Sequence, residues 1–156
     1  MTDLPEKKSE EPRPGTALEA LRDVVFLEGK QLELTAPSRA IQMKRVLKAL
    51  DVAAEVIFGY WRERMGKTNR VILDDKRRSK IIQRLRENGG DVSELLFTVD
   101  GALRDQYLMG TSNNGGRRYD GIETIFRDRG QVERLVELSR WDGDTEHPYL
   151  AGTKGG

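Results

Sequence analysis

The chain has no cysteine among its 156 residues and a single histidine. Disulfides, thiolate chemistry and cysteine-bound zinc are therefore excluded. The lone His147 argues against a histidine metal cage and against paired histidine acid–base chemistry. The lack of cysteine fits a reducing compartment. No apolar run approaches the ~20 residues that a membrane-spanning helix needs. The opening stretch "MTDLPEKKSEEPRPG" also lacks the apolar segment of a signal peptide. Neither charge sign is in excess, since 27 Lys and Arg face 26 Asp and Glu. A partner read by charge must therefore be met by a local patch, not by the field of the whole molecule. These absences point to a soluble, cytoplasmic protein without membrane contact, long enough for one domain with tails.

The distribution of apolar residues divides the chain. Residues 1–15 are charged and proline-rich and are expected to form a disordered tail, and residues 141–156 a flexible one. Residues 16–66 read as an amphipathic helical segment offering an oligomer or partner surface, and residues 67–140 as a compact helical module with a basic face. In "TALE", Thr16 can cap a first helix with Glu19 reaching back. Leu18, Leu21, Val25 and Leu32 share one face of it.

The strongest periodicity follows, from Ser38 to about Met65, where Met43, Val46, Leu47, Leu50, Ala54, Ile57 and Trp61 fall in one stripe. A third helix is expected from near Asp74 to the Gly89–Gly90 pair. A fourth is opened by Asp91 with Glu94 and runs to about Met109, with Leu95, Leu96, Val99, Leu103 and Tyr107 on its apolar face. Asp120 with Glu123 repeats the capping pattern ahead of a short helix. A last helix carries Val132, Leu135, Val136 and Leu138. Nothing alternates with a period of two for long enough to make a strand. The expected class is all-α, with about five to six helices, one of them long, built around the fourth.

Catalytic chemistry finds little to stand on. Gly110 and Gly115 reproduce the glycine spacing of a phosphate-binding P-loop, but Gly116 and Arg117 stand where lysine and a hydroxyl residue are required, and a helix precedes in place of a strand. The acidic pairs at 74–75 and 142–144 read as a helix cap and a solvated segment. Serines and threonines lack a partner base. No enzyme activity, cofactor or metal is expected.

Charge is more informative. In "DDKRRSKIIQRLRENGG", Ile81, Ile82 and Leu85 form the inward stripe. Lys76, Lys80 and Arg84 lie four apart on an adjacent face, with Arg77 beside them. Like charges at this spacing cost a helix a few tenths of a kcal/mol per pair, so something should compensate them. Arg62, Arg64, Lys67 and Arg70 lie upstream, and "MGTSNNGGRRYDG" places Arg117, Arg118 and Tyr119 on a glycine-rich connector. One reading is a solvated face paired with carboxylates brought in by the fold. The other is a phosphate-contacting surface, with Tyr119 stacking on a base or else buried against Ile122 or Phe126. The candidate nucleic-acid-binding residues are Lys76, Arg77, Lys80, Arg84, Arg117, Arg118 and Tyr119.

The run "LDDKRRSKIIQRLRENGGDVSELLFTVDGALRDQYLMG", a glycine-rich loop, and then "YDGIETIFRDRGQVERLVEL" resemble the C-terminal helical module of bacteriophage replication proteins, the replication initiators and helicase-loader-like replisome organisers. The resemblance spans about residues 55–139: the basic run matches Lys76 to Lys80, the small-residue turn Met109–Gly110, and the aromatic-apolar helix Ile125 to Asp128. It implies a non-catalytic DNA-binding or replisome adaptor of phage or prophage origin. The partners it implies are single- or double-stranded DNA and a replicative helicase or its loader. Members of that family carry a winged-helix domain ahead of the module, whereas the segment to Leu50 is expected to be too short and too helical to be one. The alternative is a protein–protein module that forms a homo-oligomer, or docks on a helicase or host protein, without binding nucleic acid.

Overall fold

The computed structural model describes residues 36–155, which form six α-helices and no strand. The expected tail 1–15 and the expected helix opening at Thr16 lie outside the described residues. Helix α1 (Ala36–Arg64) carries the predicted stripe into the core at Val46, Leu50, Ala54, Ile57 and Trp61. Its first turns do not: Met43 and Leu47 each remain 47% exposed. Gly66, at a φ of +69° that side-chain-bearing residues rarely adopt, turns the chain away after α1.

Aspartates set the next two helix starts. Asp74 accepts the Arg77 N–H at 2.8 Å and opens α2 (Asp75–Glu87). Asp91 accepts the Glu94 N–H at 3.2 Å and opens α3 (Val92–Arg104). The Glu94 carboxylate does not close a capping box; it accepts from Asn88 and Arg129. Helix α3 also ends five residues earlier than its apolar pattern suggests. Asp105 accepts the Leu108 N–H at 2.8 Å, a local bond that competes with another helical turn and folds the chain into a loop. Tyr107, expected on the apolar face of this helix, is therefore outside it and 55% exposed.

The short α4 (Ile122–Ile125) starts from Gly121 without a side-chain cap, so Asp120 is not its capping residue. Asp128 caps α5 (Arg129–Ser139) through the Gln131 N–H, and α6 (Pro148–Gly155) closes the chain.

Helix α3 is the centre. Leu95, Leu96 and Val99 are fully buried among Ile57 of α1, Ile81 and Leu85 of α2, Ile122 and Ile125 of α4 with Phe126, and Val132 and Leu135 of α5. Each such side chain contributes on the order of 1.5–3 kcal/mol by leaving water. The most extensive pairing joins α3 to α5, and there the backbones touch: a Cβ on Gly101 would stand 1.7 Å from the Leu135 carbonyl oxygen.

The segment from Trp141 does not trail away as expected. The Trp141 ring stacks on Phe97, His147 is buried, and Leu150 is fully inside. The Ser93 hydroxyl accepts the His147 N–H, and the Tyr149 N–H donates to His147 Nδ1, which leaves Nε2 to donate to Asp100 Oδ2 at 2.7 Å. Asp100 Oδ1 accepts the Tyr60 hydroxyl. The one histidine is thus a clamp that fastens the end of the chain to α1 and α3.

Gly101→Ala is expected to destabilise the fold by roughly 3 kcal/mol or more, because backbone has to move to admit the methyl group. Gly59→Ala, on α1 with nothing within 4 Å of the new carbon, should stabilise by about 0.5–1 kcal/mol. Thermal melts followed by circular dichroism check both; equal melting temperatures for the two variants would contradict the packing described.

Candidate nucleic-acid interface

The basic row of α2 does not survive folding as a row. Lys76 lies open to solvent and pairs with Glu123 of α4 at 3.3 Å, both side chains at least half exposed. Arg77 is taken up by the start of its own helix, bonding the Ile72 carbonyl at 2.8 Å and Asp74 at 3.2 Å. Lys80 is half-buried and meets no carboxylate among the described residues.

Arg84 is only 4% exposed and pairs with Glu87 at 3.0 Å. This corrects its placement on an open face: the fourfold spacing does keep it in line with Lys76 and Lys80, but the far end of that line runs under the neighbouring helices. The carboxyl of Asp128 records the proximity, being held low first by the Gln131 N–H, then by Arg127, and also by the charge of Arg84.

The glycine-rich connector is a built turn and not a loose basic connector. The Asn113 side-chain amide donates to the carbonyls of Tyr107 and Arg117, both at 2.7 Å, and its oxygen accepts the Arg117 N–H. The Tyr119 N–H donates to the Leu108 carbonyl at 2.8 Å, closing the loop at its neck. Gly110, at φ +82°, lies so close to Gly116 that a Cβ would stand 2.6 Å from the Gly116 carbonyl oxygen. Of the two glycines with P-loop spacing, Gly110 serves this close approach, whereas Gly115, at φ +87°, has nothing within 4 Å of a would-be Cβ. Arg117 points outward, exposed and with no carboxylate partner among the described residues.

The return limb is held by Asp120, which is buried. Its carbonyl accepts the Trp61 indole N–H at 2.7 Å, its Oδ1 accepts Lys67 Nζ at 3.0 Å, and its Oδ2 lies 3.0 Å from Arg118. Arg118 also lies against the sulfurs of Met65 and Met109. Since Lys76 meets Glu123 three residues after Asp120, the beginning of α2 and the end of the loop come together at the start of α4. Lys67, Lys76 and Arg118 reach two carboxylates there, Asp120 and Glu123, and the exposed Arg117 precedes Arg118 on the loop. Tyr119 is half-buried, and its ring is stacked on Tyr107 with centroids 5.5 Å apart and planes 10° from parallel.

Of the predicted set, then, Lys76 and Arg118 reach carboxylates at the start of α4, with Arg117 and Tyr119 flanking Arg118 on the loop; Lys80 stands further along α2, Arg77 is bound within the start of its own helix, and Arg84 is buried. Lys67 and Tyr107 belong to the same surface and were missed as site residues. Lys67 carried a signal in the upstream basic run, whereas Tyr107 looked like core by its spacing.

Two further features bound the chemistry. Among the described residues no group of three or more His, Asp or Glu could hold a metal ion, and no helix is long and apolar enough to cross a membrane. The groove between Tyr60, Arg64, Asp100, His147 and Tyr149 has its polar atoms directed at one another. The Tyr60 hydroxyl there is pushed above its ordinary range by burial and by the bond to Asp100, which suits a fixed donor and not a proton-exchanging group. No family model, curated protein or solved structure matches this chain.

The loop depends on Asp105, whose second oxygen accepts Arg134 of α5 at 2.6 Å. Burial alone would raise this carboxyl, but the Leu108 N–H and Arg134 outweigh it and hold the group below its ordinary 3.8. A depressed folded-state value gives stability that is present above the unfolded-state value and is lost as pH falls through the folded one. Asp105→Asn is expected to cost about 1–3 kcal/mol near neutrality. It should also flatten the decline in stability below about pH 4. Urea denaturation at a series of pH values measures both, and an unaltered acid slope would show that Asp105 does not anchor the loop.

Proposed function

We propose that the chain is a non-catalytic nucleic-acid-binding adaptor of phage- or prophage-type replication, which contacts the phosphate backbone with the cations gathered at the start of α4. The observation that supports this reading is that Lys67, Lys76 and Arg118 reach Asp120 and Glu123 at the start of α4, with the exposed Arg117 and a stacked tyrosine pair on the adjoining loop. The exposed Lys76–Glu123 pair is worth no more than about 1 kcal/mol in water, so a phosphate can replace Glu123 at little cost. The Arg117 side chain has no carboxylate partner to give up among the described residues. The resemblance to the helical module of phage replication proteins supports the same reading and supplies the replication context.

A specific observation favours a second reading as well. Met43 and Leu47 extend the core stripe of α1 past the point where anything described covers them, and Ile41 is 53% exposed nearby. Arg39, Lys44, Arg45 and Lys48 surround them, and no acidic residue occurs from Ser38 to Leu50. An apolar strip bordered by four cations suits an acidic amphipathic helix of a partner protein, such as a helicase or its loader. A second copy of the same basic face would be repelled.

The two surfaces separate experimentally. Replacing Lys76 and Arg117 with alanine should weaken binding of a labelled oligonucleotide while leaving helicity intact. The same change should reduce the slope of log affinity against log salt by roughly 0.7 for each phosphate of a single strand that is no longer neutralised. Unchanged binding and slope would remove these residues from the interface. Separately, Met43→Ser with Leu47→Ser should abolish anisotropy changes with an acidic amphipathic peptide yet leave oligonucleotide binding as it is; retention of peptide binding would dismiss the second surface.

A further inference from the structure

Tyr107 is held in an unusual position for an aromatic residue. The residue is more than half exposed on the loop that follows α3. Its backbone is fixed on both sides: the Tyr107 carbonyl accepts the Gly110 N–H and the Asn113 amide, and the next residue, Leu108, is buried with its N–H on Asp105. One face of the ring lies against Tyr119, which packs in turn on the core. Tyr119 therefore cannot offer that face to a ligand, and the ring that remains available is Tyr107. The loop closes in such a way that Arg117 and Arg118 immediately precede the inner ring.

We infer that Tyr107 is a stacking platform for an unpaired base, so that this surface takes single-stranded in preference to duplex nucleic acid. The inference rests on the proposed nucleic-acid reading and adds the class of strand. An aromatic face attracts any base, since every base has a π-face. In a duplex both faces of each base are covered by its neighbours, and a ring standing on a loop meets only edges and backbone unless a step is unstacked. A single strand can lay one base on Tyr107 while its flanking phosphates reach Arg117 and Arg118. Because the fold already holds the ring, little side-chain freedom is lost when the base arrives.

The test compares a fluorescein-labelled oligothymidine with a hairpin duplex of matched length, at one ionic strength, against wild type, Tyr107→Ala and Tyr107→Phe. The wild type should prefer the single strand. Tyr107→Ala should weaken single-strand binding about tenfold while leaving duplex binding unchanged, and Tyr107→Phe should restore the preference. An oligonucleotide carrying 2-aminopurine should change fluorescence on binding wild type and not on binding Tyr107→Ala. Single-strand affinity unaffected by Tyr107→Ala, or lost equally on both probes, overturns the stacking role with nucleic-acid binding still standing. Failure of wild type to bind either probe overturns the proposed function and this inference with it.

Discussion

The structure depends on the clamp between α3 and α5. At one end Arg129 grips both oxygens of Glu94 at 2.6 and 2.8 Å. In the middle the helices approach until Gly101 meets the Leu135 carbonyl. At the other end Arg134 holds Asp105. Bidentate guanidinium–carboxylate pairs fix angle as well as distance, and the guanidinium of Arg129 is held more firmly protonated by its bond to Glu94. The glycine contact tolerates no added atom without movement of backbone. Between them these contacts set the place where α3 stops, and the loop with Tyr107, Arg117 and Tyr119 leaves from that point. Asp105 ends the helix, starts the loop and completes the clamp in a single side chain.

Carboxylates also decide which cations face the solvent. Arg84 is buried, and a buried guanidinium without a partner would be very costly; Glu87 meets one nitrogen, and Nε finds no acceptor among the described residues. Such a group stabilises a packing arrangement and has no freedom to recognise anything. Lys76 and Glu123 are both open to water, where their attraction is screened and easily exchanged. Asp120 lies between these cases: buried itself, it binds the trailing limb of the loop to Trp61 and Lys67 while leaving half of Arg118 outside. Identical charges in the sequence thus have different duties once neighbouring helices set the local exposure.

This explains what the sequence could and could not reveal. The starts of α2 and α3 were legible because an aspartate cap is a local device, complete within four residues. The central place of α3 was legible from the apolar face that Leu95, Leu96 and Val99 make on it. Its end was not, since Tyr107 continues the helical spacing and the competing bond from Asp105 becomes decisive only when Arg134 also holds that carboxylate. Asp120 with Glu123 carries the letters of a cap, yet tertiary partners claim the aspartate. The burial of Arg84 and of His147 depends on which helix lies over them, information that no periodicity contains. On the surface itself, the arginines of the loop could be read from the sequence, while Lys67 and Tyr107 join them only through the closure of the chain at Asp120 and Leu108.

On the proposed reading, the surface combines two kinds of attraction with different physical dependence. Cations at the start of α4 act through counterion release, which weakens with salt and is indifferent to base pairing. The tyrosine ring acts through contact with a base face, which salt hardly affects and pairing obstructs. A surface with only the first would hold any polyanion, including an acidic protein; the second is what gives a nucleic-acid strand an advantage over other polyanions. The loop hydrogen bonds matter for that reason. A ring on a loose connector would lose conformational freedom on stacking and forfeit much of the gain, whereas one fixed by Asn113, Leu108 and Tyr119 keeps it. On that reading, rigidity in a glycine-rich segment is what equips a protein of near-zero net charge to discriminate between strands.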